Sequence, residues 1–186
     1  MVGQEDKKLS PQAIEALRQN TELIEQLSKQ TRTISHLLHP PLLDEIGLLP
    51  AIRMFAEGFG ERSNVKVTVE LSPEIGRLPP TMEISIFRIV QECLTNVYRH
   101  SESKTALIRI RPTRDKSISV QVCDEGKGIP SVGRVSMFLG DNHGVGLSGM
   151  RERVRELGGT LDIQSNEGGT TVTALLPAAN MAVIGA

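Results

Sequence analysis

Val122-Cys123-Asp124-Glu125-Gly126-Lys127-Gly128-Ile129-Pro130 is the stretch on which the reading of this chain turns. An apolar alternation, Ile118, Val120 and Val122, ends in one carboxylate, Asp124, and runs straight into two glycines, Gly126 and Gly128. Without a Cβ the backbone there turns sharply and approaches a ligand closely, so the pattern describes a site at a strand end rather than a simple turn. Further on, Gly144-Val145-Gly146-Leu147-Ser148-Gly149 leads into Met-Arg-Glu-Arg-Val-Arg-Glu-Leu157 and stops at Gly158-Gly159. This predicts a helix from about Ser148 to Leu157, with a glycine C-cap and first N–H groups that lack partners inside the helix and attract anions. A carboxylate suited to a base and amides suited to phosphates point together to a nucleotide.

Upstream of this stretch, Leu78-Pro79-Pro80-Thr81 introduces the strongest helix in the sequence, Met82 to about His100. At 100° per residue, Ile86, Ile89, Val90, Cys93, Leu94 and Val97 fall in one arc that should pack on a sheet. Glu92, Asn96 and Arg99 or His100 share one rim of that arc and so converge on one ligand. Strands are expected at Val65 to Leu71, Thr105 to Arg111 and Ser117 to Asp124, and a closing hairpin at Thr160 to Ser165 and Thr170 to Leu176. Its turn is Asn166-Glu167-Gly168-Gly169. Before the first strand, Leu49, Ile52, Phe55, Ala56 and Phe59 mark a helix starting near Leu48 or Pro50.

The amino-terminal part reads differently. Ser10-Pro11 is an N-cap followed by a first helical residue, and no Gly or further Pro intervenes until Pro40, which predicts a helix of roughly 28 residues. Its apolar stripe, Ile14, Leu17, Ile24, Leu27, Ile34 and Leu38, is narrow, so the helix is either a solvated linker or half of a dimerising hairpin that calls for a partner helix. Pro40-Pro41 ends or kinks it.

The chain has 186 residues, enough for one well-cored domain and an accessory element. Lys+Arg 21 against Asp+Glu 22 argues against wrapping nucleic acid or lying on an anionic membrane, and one Tyr, four Phe and no Trp argue against base stacking. Cys93 and Cys123 lack CxxC spacing and read as reduced thiols in a cytoplasmic setting, not as a disulfide or a zinc site. No apolar run is long enough to span a bilayer. Gly144-x-Gly146-x-x-Gly149 matches a dinucleotide fingerprint formally, but polar Leu139-Gly-Asp-Asn-His143 precedes it where a buried parallel strand is required.

Taken together, Glu92-x-x-x-Asn96-x-x-Arg99-His100, Asp124-x-Gly126-x-Gly128, Gly144-x-Gly146-Leu147 and Gly168-Gly169-Thr170 resemble, in order and spacing, the four nucleotide boxes of the GHKL superfamily. That superfamily comprises histidine kinases, gyrase, Hsp90 and MutL. The segment Thr33-Ile-Ser-His-Leu-Leu-His-Pro-Pro-Leu-Leu-Asp-Glu-Ile-Gly-Leu48 is similar to the stretch joining the second dimerisation helix to the ATP domain in two-component sensor kinases of the NarX, DesK and LiaS type. The resemblance covers roughly Leu23 to Pro177. It implies an α+β fold, a two-layer α/β sandwich of the Bergerat type with a mostly antiparallel sheet under helices, preceded by a long helix. The implied organisation is 1–47 for half of a dimerisation hairpin and its Pro-Pro linker, 48–178 for the ATP-binding catalytic domain and 179–186 for a tail.

The same resemblance implies ATP and Mg²⁺ as ligands. Asn96 would bind the metal and Glu92 would hold its water or orient the nucleophile. Asp124 would accept the adenine amine, with Thr170 or Thr171 in support through water. Gly126, Gly128 and Ile129 would lie against the base, Pro130 to His143 would form a lid, and Gly144, Gly146 and Leu147 would bring amides to the phosphates. Arg99 and His100 would reach a phosphate from the other side. A histidine kinase of this kind implies a response regulator receiver domain as partner, a homodimer through the helical hairpin, and neither nucleic-acid nor direct membrane contact. An anti-sigma-factor-like serine kinase, a nucleotide-gated interaction module, is the alternative. His36, His39, His100 and His143 are the only histidines, and His36 and His39 are followed by Leu and Pro instead of the acidic residue expected beside a phosphorylated histidine. The expectation is therefore a fragment that binds ATP·Mg without labelling itself.

Overall fold

The helix-period stripe before residue 100 and the strand-period alternations after it meet face to face. In the computed structural model, which describes residues 41–129 and 145–177 together with Arg18 and Asn20, the chain divides into two compact units, Met1–Pro41 and Leu42–Ala186. The expected long helix from Ser10, with His36 and His39, lies outside the described residues apart from Arg18 and Asn20, which are helical and exposed. The expected lid, Gly144 and the tail lie outside them as well.

From Pro41 onward the described elements are α1 (Pro41–Ile46), α2 (Leu48–Ser63), β1 (Lys66–Leu71), a 3₁₀ turn (Pro73–Ile75), α3 (Pro80–Asn96), a π turn (Val97–Ser101), β2 (Thr105–Pro112), β3 (Ser117–Asp124), α4 (Val145–Glu156), β4 (Thr160–Asn166) and β5 (Gly169–Pro177). Three features depart from the expected boundaries. The helix expected from about Ser148 begins at Val145, so that Gly146 falls in its first turn. A short helix, α1, fills the stretch after the Pro-Pro break, and Gly47 at φ 81° separates it from α2, a backbone conformation that favours glycine. The helix expected to reach His100 keeps α geometry only to Asn96. Beyond it the turn widens, Ser101 Oγ donates to Val97 O at 2.7 Å, and Glu102 leaves in the left-handed region at φ 61°.

The five strands are ordered β1-β2-β3-β5-β4. β1 pairs parallel with β2, and every other pairing is antiparallel. Register carries the apolar alternation straight across: Val69 opposes Ile108, Ile108 opposes Val122, Val122 opposes Val172, and Val172 opposes Ile163. These residues form one face, which α2, α3 and α4 cover. The arc expected on α3 is its buried side, with Ile86, Ile89, Val90, Cys93, Leu94 and Val97 all in the core. Met150 and Val154 of α4 enter the same core, and Cys93 Sγ lies 3.7 Å from Met150 Sδ.

The opposite face is polar and tied in a row. Arg109 Nε donates to Glu70 at 2.6 Å, Arg109 Nη1 to Gln121 at 3.1 Å, and Gln121 Nε2 to Thr173 at 3.4 Å, linking four adjacent strands. One carboxylate enters the core from the first turn of α3. Glu83 is 1% exposed, accepts the Leu78 N–H at 3.1 Å and meets Arg77 Nε at 3.4 Å, so a helix N-terminus, a backbone donor and a guanidinium compensate its burial. Among the described residues no helix is long and apolar enough to cross a membrane.

Candidate functional site

Asp124 ends β3 on the helix-covered face, because it continues the parity of Ile118, Val120 and Val122. Its Oδ1 accepts the Gly126 N–H at 2.8 Å, and the Thr170 N–H also donates to its carboxylate. Burial pushes this carboxyl above the ordinary range, and the two backbone donors offset only part of that rise. The result is a half-buried carboxylate with spare lone pairs, able to accept a ligand donor that restores what desolvation removed.

Four glycines explain how the surrounding segments come so close. A Cβ on Gly126 would run into the Ser101 carbonyl, which itself accepts the Lys127 N–H at 2.9 Å, so the glycine loop is strapped to the π turn. A Cβ on Gly128, at φ 69°, would strike the Asn166 carbonyl, and one on Gly169, at φ 129°, the Asp124 carbonyl. These two glycines dock the loop and β3 onto the β4–β5 hairpin. At Gly146, in the first turn of α4, the place of a Cβ is taken by the Glu92 carboxylate, with Cδ at 2.5 Å and Cγ at 3.2 Å from that position. Glu92 on α3 and the start of α4 are therefore in direct contact.

Asn96 stands one turn beyond Glu92 at the end of α3, half-buried, while Arg99 and His100 are exposed on the π turn. The widened turn does not carry Arg99 and His100 along the α-helical rim assumed from the sequence. Thr170 and Thr171, interchangeable from sequence, separate. Thr170 opposes Asp124 and shares its face, whereas Thr171 opposes Cys123 on the other face of the sheet. The partly buried Leu147 side chain packs against the core, and the Ile129 N–H is already given to Ser165 Oγ at 2.8 Å.

Ser165 and Ser101 hold the glycine loop, through the Ile129 and Lys127 N–H groups, and residue type alone did not single them out. Ser165 could have been found by counting back from the two-residue turn, because Asn166 opposite Gly169 puts Ser165 opposite Thr170 and next but one to Asp124. Cys93 lies under this site. Burial pushes its thiol far above the ordinary range, and the negative charges of Glu92, Asp124 and Cys123 add to the effect. Among the described residues no three His, Cys, Asp or Glu side chains gather as a metal cluster. Glu92 and Asn96 offer a carboxylate and an amide oxygen one turn apart, a donor set that suits a hard cation arriving with phosphate oxygens and water.

A family model described as "Histidine kinase-, DNA gyrase B-, and HSP90-like ATPase" matches residues 81–180. The chain is 32% identical over 155 residues to the sensor histidine kinase NarS of Mycobacterium tuberculosis, an alignment covering 83% of this chain and 35% of NarS. It is 30% identical over 149 residues to the sensor histidine kinase MctS of Rhizobium johnstonii, covering 80% of this chain and 32% of MctS. The chain thus spans about a third of the length of these curated relatives. Among solved structures, the histidine kinase domain of the Erythrobacter litoralis EL346 blue-light activated histidine kinase superposes with a TM-score of 0.61 at 23% identity, over 71% of this chain and 61% of that one, a likeness of fold.

Proposed function

This chain belongs to the histidine kinase-, DNA gyrase B- and HSP90-like ATPase family, and from that premise we propose that it is the ATP-binding catalytic part of a sensor histidine kinase. In this reading residues 48–178 hold Mg·ATP, residues 1–47 contribute half of a dimerisation hairpin and its linker, and the γ-phosphoryl passes to a histidine of the dimerisation domain and then to a response regulator receiver domain. The observation that carries it is the half-buried Asp124 carboxylate, held by the Gly126 and Thr170 amides with lone pairs to spare. The amine at C6 of adenine is a donor such an acceptor takes, whereas guanine presents a carbonyl oxygen at that position.

Mg²⁺, when bound, would neutralise charge on the phosphate oxygens, and Asn96 with Glu92 would be its protein ligands, directly or through water. Glu92 sits against Gly146 and so is aimed at the start of α4, whose first amides suit phosphate oxygens. Arg99, exposed at the neighbouring turn, would add positive charge for a polyphosphate and His100 a ring nitrogen, both from the π turn that follows Asn96. None of the four histidines has an acidic residue after it, so the acceptor histidine belongs to another segment or chain, and the domain acts by presenting the nucleotide to it.

The test is calorimetric titration with ATP in the presence of Mg²⁺. Asp124→Ala removes a charge-assisted hydrogen bond worth about 1.5–3 kcal/mol, so ATP affinity should fall roughly ten- to hundredfold. Unchanged affinity in that variant would overturn the assignment of the base contact.

A further inference from the structure

We propose that Ser165 sets the base preference of the site by fixing the direction of the Thr170 hydroxyl, so that Thr170 meets the ligand as an acceptor only. The inference rests on the nucleotide-binding reading above and adds to it a specificity-determining residue.

Three partners surround Ser165 Oγ. The Ile129 N–H lies 2.8 Å away and can only donate. The Gly169 carbonyl oxygen lies at 3.2 Å and can only accept. Thr170 Oγ1 lies at 2.9 Å and could do either. A serine hydroxyl has one proton and two lone pairs. Assigning its proton to Gly169 O, which can only accept, and one lone pair to the Ile129 N–H leaves the remaining lone pair for the Thr170 proton, the one arrangement that keeps all three contacts as hydrogen bonds. Ser165 is then saturated, and Thr170 has spent its only hydroxyl proton.

The row of residues makes this matter for the ligand. Asp124 opposes Thr170, and Thr170 opposes Ser165, so all three stand side by side on the same face of β3, β5 and β4. The Thr170 amide is committed to the Asp124 carboxylate. What remains toward the ligand at these two positions is therefore acceptor capacity alone, from the carboxylate and from the threonine oxygen. An amino group placed against these two acceptors matches both, whereas a carbonyl in the same place meets acceptors only. Were Ser165 absent, the Thr170 hydroxyl could rotate and donate to a carbonyl, and half of the discrimination would disappear. Gly128, whose missing Cβ leaves room 2.9 Å from Ser165 Oγ, keeps the loop close enough for the Ile129 bond to form.

The experiment compares ATP with ITP, which carries a carbonyl in place of the adenine amine and a proton on N1, by calorimetry on the intact chain; the N1 change is common to all variants and cancels when their ATP-to-ITP ratios are compared. Ser165→Ala should lower the ATP-to-ITP preference about five- to tenfold, the worth of one neutral hydrogen bond gained by ITP, while Ser165→Thr, which keeps the hydroxyl, retains the preference. In a Thr170→Val background Ser165→Ala should change the ratio no further, because the group it orients is gone. If Ser165→Ala does not fold, Thr170→Val alone gives the answer, since it removes the second acceptor and should weaken ATP more than ITP. An unchanged ratio in Ser165→Ala, or an equal change with and without Thr170, would overturn the proposal. Failure of the underlying reading looks different: Asp124→Ala would then leave ATP affinity intact.

Discussion

Replacing Gly146 with Ala should separate catalysis from binding. The new Cβ would coincide with the Glu92 carboxylate, whose nearer oxygen is closer still than its Cδ at 2.5 Å where ordinary contact needs at least 3.4 Å, so the carboxylate must retreat by about 1–2 Å. The colliding atoms are the far end of a flexible side chain, which yields at a rotamer cost of about 0.5–1.5 kcal/mol. Against this, Gly→Ala within a helix returns roughly 0.5–1 kcal/mol. The two nearly cancel, so the melting temperature should move by no more than a few degrees. A 1 Å misplacement of a group that acts on the reacting atoms costs on the order of a hundredfold, about 2.7 kcal/mol of transition-state stabilisation.

Transfer from γ-labelled ATP to a dimerisation domain carrying the acceptor histidine should accordingly slow by about two orders of magnitude, with ATP affinity within about threefold of the parent. The decisive arm is the double variant. In a Glu92→Ala background no carboxylate remains to be displaced, and adding Gly146→Ala should cost nothing more. If the same loss appears with and without Glu92, or if ATP affinity collapses in both backgrounds, the glycine serves phosphate approach instead and the reasoning is wrong.

The raised Asp124 carboxyl predicts a pH dependence whose sign follows from linkage. The folded protein holds this proton more tightly than the unfolded chain, so the contribution to stability is complete below the ordinary carboxylate range and is lost as the pH rises through the raised value. Thermal melts of the nucleotide-free protein should show that descending limb, and Asp124→Asn should flatten it. ATP affinity should move the opposite way, weakening as the pH is lowered into the raised range, which calorimetry across pH would check. Gly126→Ala forces a Cβ onto the rigid Ser101 carbonyl and threatens the Lys127 bond to it. A loss of about 1–3 kcal/mol in denaturant melts is expected, and a neutral result would mean that the π turn yields freely. Cys93, buried with its thiol pushed far up, should resist alkylation at pH 8 until the protein unfolds, read by peptide mass spectrometry.

What the sequence determined by itself are the features carried by local periodicity and backbone chemistry. The α3 stripe, the alternations of β2, β3 and β5, the glycine stop at Gly158 and the Asn166–Gly169 turn all depend on neighbours within a few residues, and each is found where those patterns put it. The juxtaposition of Asp124 with its glycines was legible for the same reason, since both lie on one short stretch. Tertiary structure decided what depends on pairing between distant segments. Only the β3–β5 register separates Thr170 from Thr171, because a shift of one residue exchanges the faces. Only the packing of α3 against α4 reveals that Gly146 is vacant for Glu92, and only the hairpin seated under the glycine loop brings Ser165 to Ile129. The π turn after Asn96 was hidden because the sequence looks helical through His100, while the widening is closed by a Ser101 hydroxyl and clamped by a loop some twenty-five residues later. Local chemistry names the groups a nucleotide needs; long-range pairing decides which of them share a face.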